Sequence, residues 1–172
     1  VRMGLVRVAV ATTSVLVATI IFLGGGVLGT FHHLYFSGTP VGVIALGSVF
    51  SALEVVPLLV VGFEAYSRAK HEGLHDWQKA YRWPFMFFSS VLVWNLIGAG
   101  LFGFLINPPL ALYYMQGLNT TATHAHGALF GVYGMLGLGL ILFCMRGLTD
   151  PARWNNKLLA ISFWCLNVGL AM

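Results

Sequence analysis

Residues 123–145 read THAHGALFGVYGMLGLGLILFCM, and after the two histidines at the start this stretch contains no ionisable side chain other than those of one tyrosine and one cysteine. A helix that crosses the hydrocarbon core of a bilayer needs about 20 predominantly apolar residues in a row. The stretch meets that length. It therefore predicts a membrane-spanning helix with His124 and His126 at one end.

The rest of the chain repeats this pattern. Further apolar runs are found at 8–28, 41–63, 85–106 and from Leu158 onward. Only 8% of the residues are charged, whereas soluble domains carry roughly 25%. We predict an all-α, polytopic transmembrane helix bundle, with helices at roughly 6–31, 40–67, 83–107, 121–146 and from 155. We expect residues 1–172 to form a single transmembrane region that is a fragment of a larger integral membrane domain.

The basic residues indicate how the spans are oriented. If the spans alternate in direction, all nine Lys and Arg residues fall on one side of the membrane. Because cytoplasmic loops carry an excess of Lys and Arg, we predict that 67–83 and 146–157 are cytoplasmic and that 31–40 and 107–121 lie on the outer side. The pI near 9.3 reflects this topology, so we expect no nucleic-acid partner.

Four histidines lie toward the predicted outer side. His124 and His126 are two residues apart, so on an α-helix they point about 200° away from each other. They cannot clamp one metal, but each could hold one of two flat cofactors on opposite sides of the helix. His32 and His33 are adjacent and reach one metal only if the helix ends there, and residues 37–40 (SGTP) predict such a break. Ionisable groups inside membranes are usually functional, so these four are candidate metal ligands.

Glu54 interrupts the second apolar run, which contains no Lys or Arg. An ionised carboxylate away from water is costly unless it has a partner, here a metal, another helix, water or a bound proton. Pro57, three residues on, removes a backbone donor and loosens the helix, as is typical of functional sites in membrane helices. Glu54 is therefore a candidate catalytic residue. The alternative is a neutral side chain that only hydrogen-bonds a neighbouring helix.

These histidines give the chain a resemblance to the haem–copper oxidase superfamily. An adjacent histidine pair at the outer end of one helix, followed two helices later by His-X-His, carries the resemblance. It covers the whole chain and implies about helices seven through eleven of a twelve-helix fold. It further implies that His32 and His33 hold a non-haem metal, that His124 binds a high-spin haem, and that His126 binds a low-spin haem.

Within that superfamily the chain is similar to the nitric oxide reductase branch. The main oxygen-reducing type carries a channel lysine in the second span, where this chain has Glu54 instead, and segments 29–40 and 52–57 carry the same similarity. Segment 123–134 resembles the quinol-dependent form. The resemblance implies an enzyme of the bacterial inner membrane with haem b, non-haem iron, nitric oxide as substrate, quinol or cytochrome c as electron donor, and the remaining helices of the same protein as partners. The alternatives are a haem–copper oxygen reductase and a non-haem, proton-coupled membrane transporter.

Overall fold

The computed structural model describes residues 2–72 and 76–172, which form helices and turns and include no β-strand. Four of the described helices are long and apolar enough to cross a membrane: Thr12–Leu34, Val41–Glu64, Arg82–Ile106 and Asn119–Leu148. A shorter apolar helix follows at Asn156–Ala171. The predicted all-α, polytopic bundle is therefore confirmed, with span boundaries within a few residues of the predicted ones.

Several of the spans consist of more than one helical segment. In chain order the helices are α1 (Arg2–Gly29), α2 (Val41–Leu53), α3 (Val55–Glu72), α4 (Asp76–Ala80), α5 (Arg82–Trp94), α6 (Phe102–Ile106), α7 (Pro109–Met115), α8 (Asn119–His126), α9 (Met135–Leu148) and α10 (Asn156–Ala171). Two π-helical segments, Asn95–Leu101 and Gly127–Gly134, join α5 to α6 and α8 to α9. The described residues also include 3₁₀ turns at Thr30–Leu34 and Pro151–Arg153. Neither the π-helical segments nor α7, inside the predicted loop 107–121, was expected from sequence.

The second span is broken at Glu54. α2 ends at Leu53 and α3 begins at Val55, with Glu54 in a turn between them. Pro57 has no N–H, so the carbonyl of Leu53 lacks the donor that an uninterrupted helix would provide four residues later. The Glu54 amide donates to Ser51 O at 3.3 Å, a tighter three-residue turn. The span predicted at 40–67 is confirmed as the apolar helix Val41–Glu64, and the turn at Glu54 lies close to Pro57, which was expected to loosen this helix.

The described chain divides into two compact units. The first unit contains residues 2–72 and 100–121, and the second contains residues 76–99 and 122–172. His32, His33 and Glu54 belong to the first unit. The His-X-His belongs to the second.

In the first unit, α1 packs along α2 and α3, and the 3₁₀ turn Thr30–Leu34 lies against α2. A Cβ added to Gly47 would come within 2.5 Å of His32 N, so glycine is required for α2 to approach this turn so closely. The buried Asn107 donates from Nδ2 to Ser48 O at 2.7 Å. This bond holds the end of α6 against α2.

In the second unit, α5, α9 and α10 enclose a small core. Trp83, Phe87, Met135 and Phe163 are buried together, and Met135 is 0% exposed. The rings of Phe87 and Phe163 meet edge to face with centroids 5.3 Å apart. Because lipid tails are as apolar as these side chains, this contact stabilises the helices through close packing rather than through exclusion of water.

Two tryptophan–asparagine hydrogen bonds join α5 to α10. Trp83 Nε1 donates to Asn156 Oδ1 at 2.7 Å, and Trp94 Nε1 donates to Asn167 Oδ1 at 2.9 Å. Both pairs are separated by 73 positions in the chain, so the two helices run in the same direction. Buried polar groups need such partners, and these bonds align α10 with α5.

Candidate functional site

The histidine pair lies in the 3₁₀ turn that follows α1. His32 is half-buried and His33 is exposed, and their ring centroids are 4.2 Å apart with the planes at 40°. The chain then leaves the helical direction through Phe36 (φ 63°) and Gly38 (φ 81°). The predicted helix end at the pair is confirmed, and it brings both imidazoles to the same end of the span.

Glu54 lies half-buried against α1 in a groove lined by glycines. A Cβ added to Gly29 would lie 2.8 Å from Glu54 Oε1, and one added to Gly26 would lie 3.7 Å from the same oxygen. A Cβ added to Gly25 would lie 3.8 Å from Glu54 Cγ. Any side chain at Gly29 would therefore compete with the carboxylate for space. Because Gly29 precedes His32 by three residues, the carboxylate is held about one helical turn from the histidine pair.

The histidine pair and Glu54 do not make a complete metal site by themselves. Within the described part of the first unit, no three His, Cys, Asp or Glu side chains are close enough to hold a metal ion together. Two imidazoles are ligands that iron, copper and zinc all accept, whereas a carboxylate favours harder ions such as iron. The histidine pair could therefore supply two of the ligands of such a metal ion.

His124 and His126 lie in the last turn of α8 and have different surroundings. His124 is half-buried, and its Nδ1 donates to Gly98 O at 2.8 Å. His126 is exposed, and its Nδ1 donates to Ala122 O at 2.7 Å. A carbonyl oxygen only accepts, so Nδ1 carries a proton in both rings, and in a neutral imidazole the lone pair is then on Nε2. Metal-binding histidines are usually oriented by such a bond, so either ring could hold a haem iron through Nε2.

The bond between His124 and Gly98 depends on contact between two helix backbones. A Cβ added to Gly98 would lie 2.8 Å from Gly127 Cα, and one added to Gly127 would lie 2.8 Å from Gly98 Cα. Gly98 is in the π-helical segment of the third span, and Gly127 begins that of the fourth. π-helical segments are rare in proteins, and those that occur are often found at functional sites. The paired glycines bring the imidazole of His124 within reach of the opposite backbone.

Several residues around these sites were not predicted from sequence. Gly98 and Gly127 give no local signal because a glycine's packing partner is set by the other helix. Tyr35 is 7% exposed, its ring centroid is 6.5 Å from that of His32, and its hydroxyl has no hydrogen-bond partner among the described residues. In the sequence, the only sign of this contact is a tyrosine two residues after the adjacent histidines.

Comparison with known proteins identifies relatives of the whole region. A family model described as Cytochrome C and Quinol oxidase polypeptide I matches residues 3–172. The chain is also 30% identical over 152 residues to a nitric oxide reductase subunit from Stutzerimonas stutzeri. That alignment covers 84% of this chain but 31% of the relative, so the chain spans about a third of the relative's length.

Proposed function

The chain belongs to the Cytochrome C and Quinol oxidase polypeptide I family, and from this premise we propose that it is the haem- and metal-binding part of a respiratory nitric oxide reductase. The observation that carries the proposal is the 30% identity to the Stutzerimonas stutzeri nitric oxide reductase protein across 84% of the chain. Two further features support it: the orientation of both His-X-His imidazoles and the carboxylate beside the histidine pair.

The proposed reaction is 2 NO + 2 H⁺ + 2 e⁻ → N₂O + H₂O. High-spin haem b and non-haem iron, when bound, would supply substrate binding and electron transfer, with electrons arriving through low-spin haem b from quinol. The choice of quinol over cytochrome c rests on segment 123–134. The same proposal places the protein in a bacterial inner membrane, with loops 67–83 and 146–157 on the cytoplasmic side and 31–40 and 107–121 on the outer side. Residues 73–75 of the first of these loops lie outside the described residues.

We assign the histidines by their positions. His32 and His33 would bind the non-haem iron, His124 the high-spin haem and His126 the low-spin haem. The hydrogen bonds from His124 to Gly98 and from His126 to Ala122 hold each ring with Nε2 directed away from its own anchoring carbonyl. An imidazole oriented in advance in this way loses little freedom when it binds iron.

Glu54 is the proposed proton-handling residue. The reaction consumes two protons, and no Lys or Arg lies in the apolar run that contains Glu54. The glycine groove on α1 holds the carboxylate about one helical turn from the histidine pair, so a proton could pass from it toward a metal held there through an ordered water. Its position in a turn between α2 and α3 also leaves nearby backbone groups able to bind water.

The assignment of the haem ligands is tested by single substitutions in the full-length protein. His126→Ala is expected to lose the low-spin haem signal and His124→Ala the high-spin signal, measured by visible absorption and electron paramagnetic resonance. His71→Ala is a matched control, because His71 Nδ1 also lies 2.7 Å from a carbonyl four residues earlier, Ser67 O, but outside the apolar spans. If either His124→Ala or His126→Ala kept both haem signals, that assignment would be wrong.

Metal analysis of the same preparations separates the proposal from the other functions. Iron without copper, together with consumption of nitric oxide, is expected. Copper with oxygen consumption would indicate an oxygen reductase instead. A full-length protein that contained no haem would indicate a proton-coupled transporter.

A further inference from the structure

The second unit contains a cavity of about 220 Å³ at the place where α5 begins and α9 ends. Its walls are formed by Ala80, Arg82, Trp83, Pro84, Arg146, Trp154 and Asn156. Two of these residues are arginines and none is acidic. The cavity therefore has a positively charged lining, and none of the proposed haem or metal ligands is part of it.

Arg146 is held in place by the surrounding backbone and rings. Its Nε donates to Ala80 O at 2.9 Å, and its guanidinium carbon is 5.9 Å from the ring centroid of Tyr81 and 5.8 Å from that of Trp154. A guanidinium has five N–H donors, so this anchoring leaves most of them for an anion. A planar group with several donors binds phosphate oxygens in pairs.

Arg82 supplies the second positive charge. Its guanidinium carbon lies 5.2 Å from the ring centroid of Trp83. Among the residues that the structure describes, neither arginine forms a salt bridge. Asp76, the nearest described carboxylate in sequence to Arg82, pairs with Lys79 at 2.8 Å. Asp150, the nearest to Arg146, accepts from Ala152 N at 2.9 Å. The two guanidinium charges are thus without a described counter-charge.

The cavity's place in the fold indicates which anion it takes. Arg82 begins the third apolar span, and Arg146 is two residues from the end of the fourth. Tryptophans at span ends usually lie at the level of the lipid headgroups, and basic pockets between transmembrane helices bind anionic headgroups. Leu148 and Leu158, which border this end of the unit, are 86% and 60% exposed and offer an apolar surface for an acyl chain.

We propose that this cavity binds the phosphate group of an anionic phospholipid. The phosphodiester would lie between the guanidinium groups of Arg82 and Arg146, with the glycerol end near Trp83 and Trp154. Such a lipid would join the start of α5 to the end of α9 and the start of α10. The inference does not depend on the reaction that the protein catalyses.

Native mass spectrometry of the full-length protein tests this binding. The probes are phosphatidylglycerol and phosphatidylcholine with identical acyl chains, and the expected result is preferential retention of phosphatidylglycerol. Arg82→Gln and Arg146→Gln are each expected to reduce that retention about tenfold, because each removes charge-assisted hydrogen bonds to the phosphate. Arg153→Gln is the matched control, since Arg153 is an exposed basic residue seven positions after Arg146 that does not line the cavity. It is expected to leave retention unchanged.

The same experiment contains the results that would overturn the proposal. One is retention of phosphatidylglycerol at the wild-type level in Arg82→Gln. Another is an equal loss of retention in Arg153→Gln, which would show that general surface charge alone holds the lipid. Binding of inorganic phosphate at the cavity without preferential retention of phosphatidylglycerol would show that the site takes the free ion and not the lipid. Should Arg146→Gln fail to fold, Arg146→Lys keeps the charge but not the planar group, and it is expected to retain the lipid at an intermediate level.

Discussion

Gly98→Ala and Gly127→Ala would each place a methyl group where two helix backbones now touch. The added Cβ would stand 2.8 Å from the opposite Cα, whereas carbon atoms in ordinary contact are about 3.5–4.0 Å apart. The helices would therefore have to separate by about 1 Å. The bond from His124 Nδ1 to Gly98 O, now 2.8 Å, would lengthen to about 3.5 Å or more, which is beyond hydrogen-bonding range.

The loss of stability in these variants has two sources. Forcing a methyl group into a close-packed contact costs about 1–3 kcal/mol. Loss of the His124 hydrogen bond adds about 1 kcal/mol. We expect each variant to lower the free energy of unfolding by about 2–4 kcal/mol, measured as a lower melting temperature of the full-length protein. In haem-loaded protein, the iron–histidine stretching band in resonance Raman spectra is expected to shift, because the Nδ1 bond makes the imidazole more basic.

Gly137→Ala is the matched control. An added Cβ at Gly137 meets nothing within 4 Å, and the residue lies inside α9. Alanine is the better helix former, so this variant is expected to be neutral or to gain up to about 1 kcal/mol. A melting temperature and a Raman band at wild-type values in both Gly98→Ala and Gly127→Ala would refute the reasoning. A lowered melting temperature with an unshifted band would refute only the coupling to His124.

The remaining predictions concern the carboxylate and the contact between α5 and α10. Glu54→Gln is expected to retain haem and lose most nitric oxide turnover, with Glu54→Asp intermediate, and full turnover in Glu54→Gln with normal iron content would leave Glu54 a structural role only. Gly29→Ala is expected to displace the carboxylate and lower turnover, whereas Gly24→Ala, whose added Cβ would meet nothing within 4 Å, is expected to leave turnover unchanged; equal turnover in the two variants would contradict the groove. Trp94→Phe is expected to cost about 1–3 kcal/mol because it leaves the amide oxygen of Asn167 without its donor. Thermal melts should show part of that loss recovered in Trp94→Phe/Asn167→Leu, and strictly additive losses would show that the bond contributes no coupling.

The membrane helices could be predicted from sequence because a bilayer leaves few alternatives. Backbone groups in lipid must be satisfied within the segment, so an apolar run of about 20 residues has to be a helix. This is why Val41–Glu64 and Arg82–Ile106 were located to within a few residues. The turn residues 37–40 also predicted the helix end at His32 and His33. The roles of the four histidines and of Glu54 rest on the family pattern and stay predictions.

The irregular parts of these helices were decided by tertiary contacts. A glycine in an apolar run has no side chain to show what it faces, so the sequence of 95–101 contains no sign that Gly98 meets Gly127 or that the helix there is π-helical. The same holds for Arg146, whose charge predicted a cytoplasmic loop but whose anchor, Ala80 O, lies 66 positions away. Apolar length is a property of one segment and can be counted. Backbone contact and hydrogen-bond register depend on two segments at once, and only the folded chain brings these together.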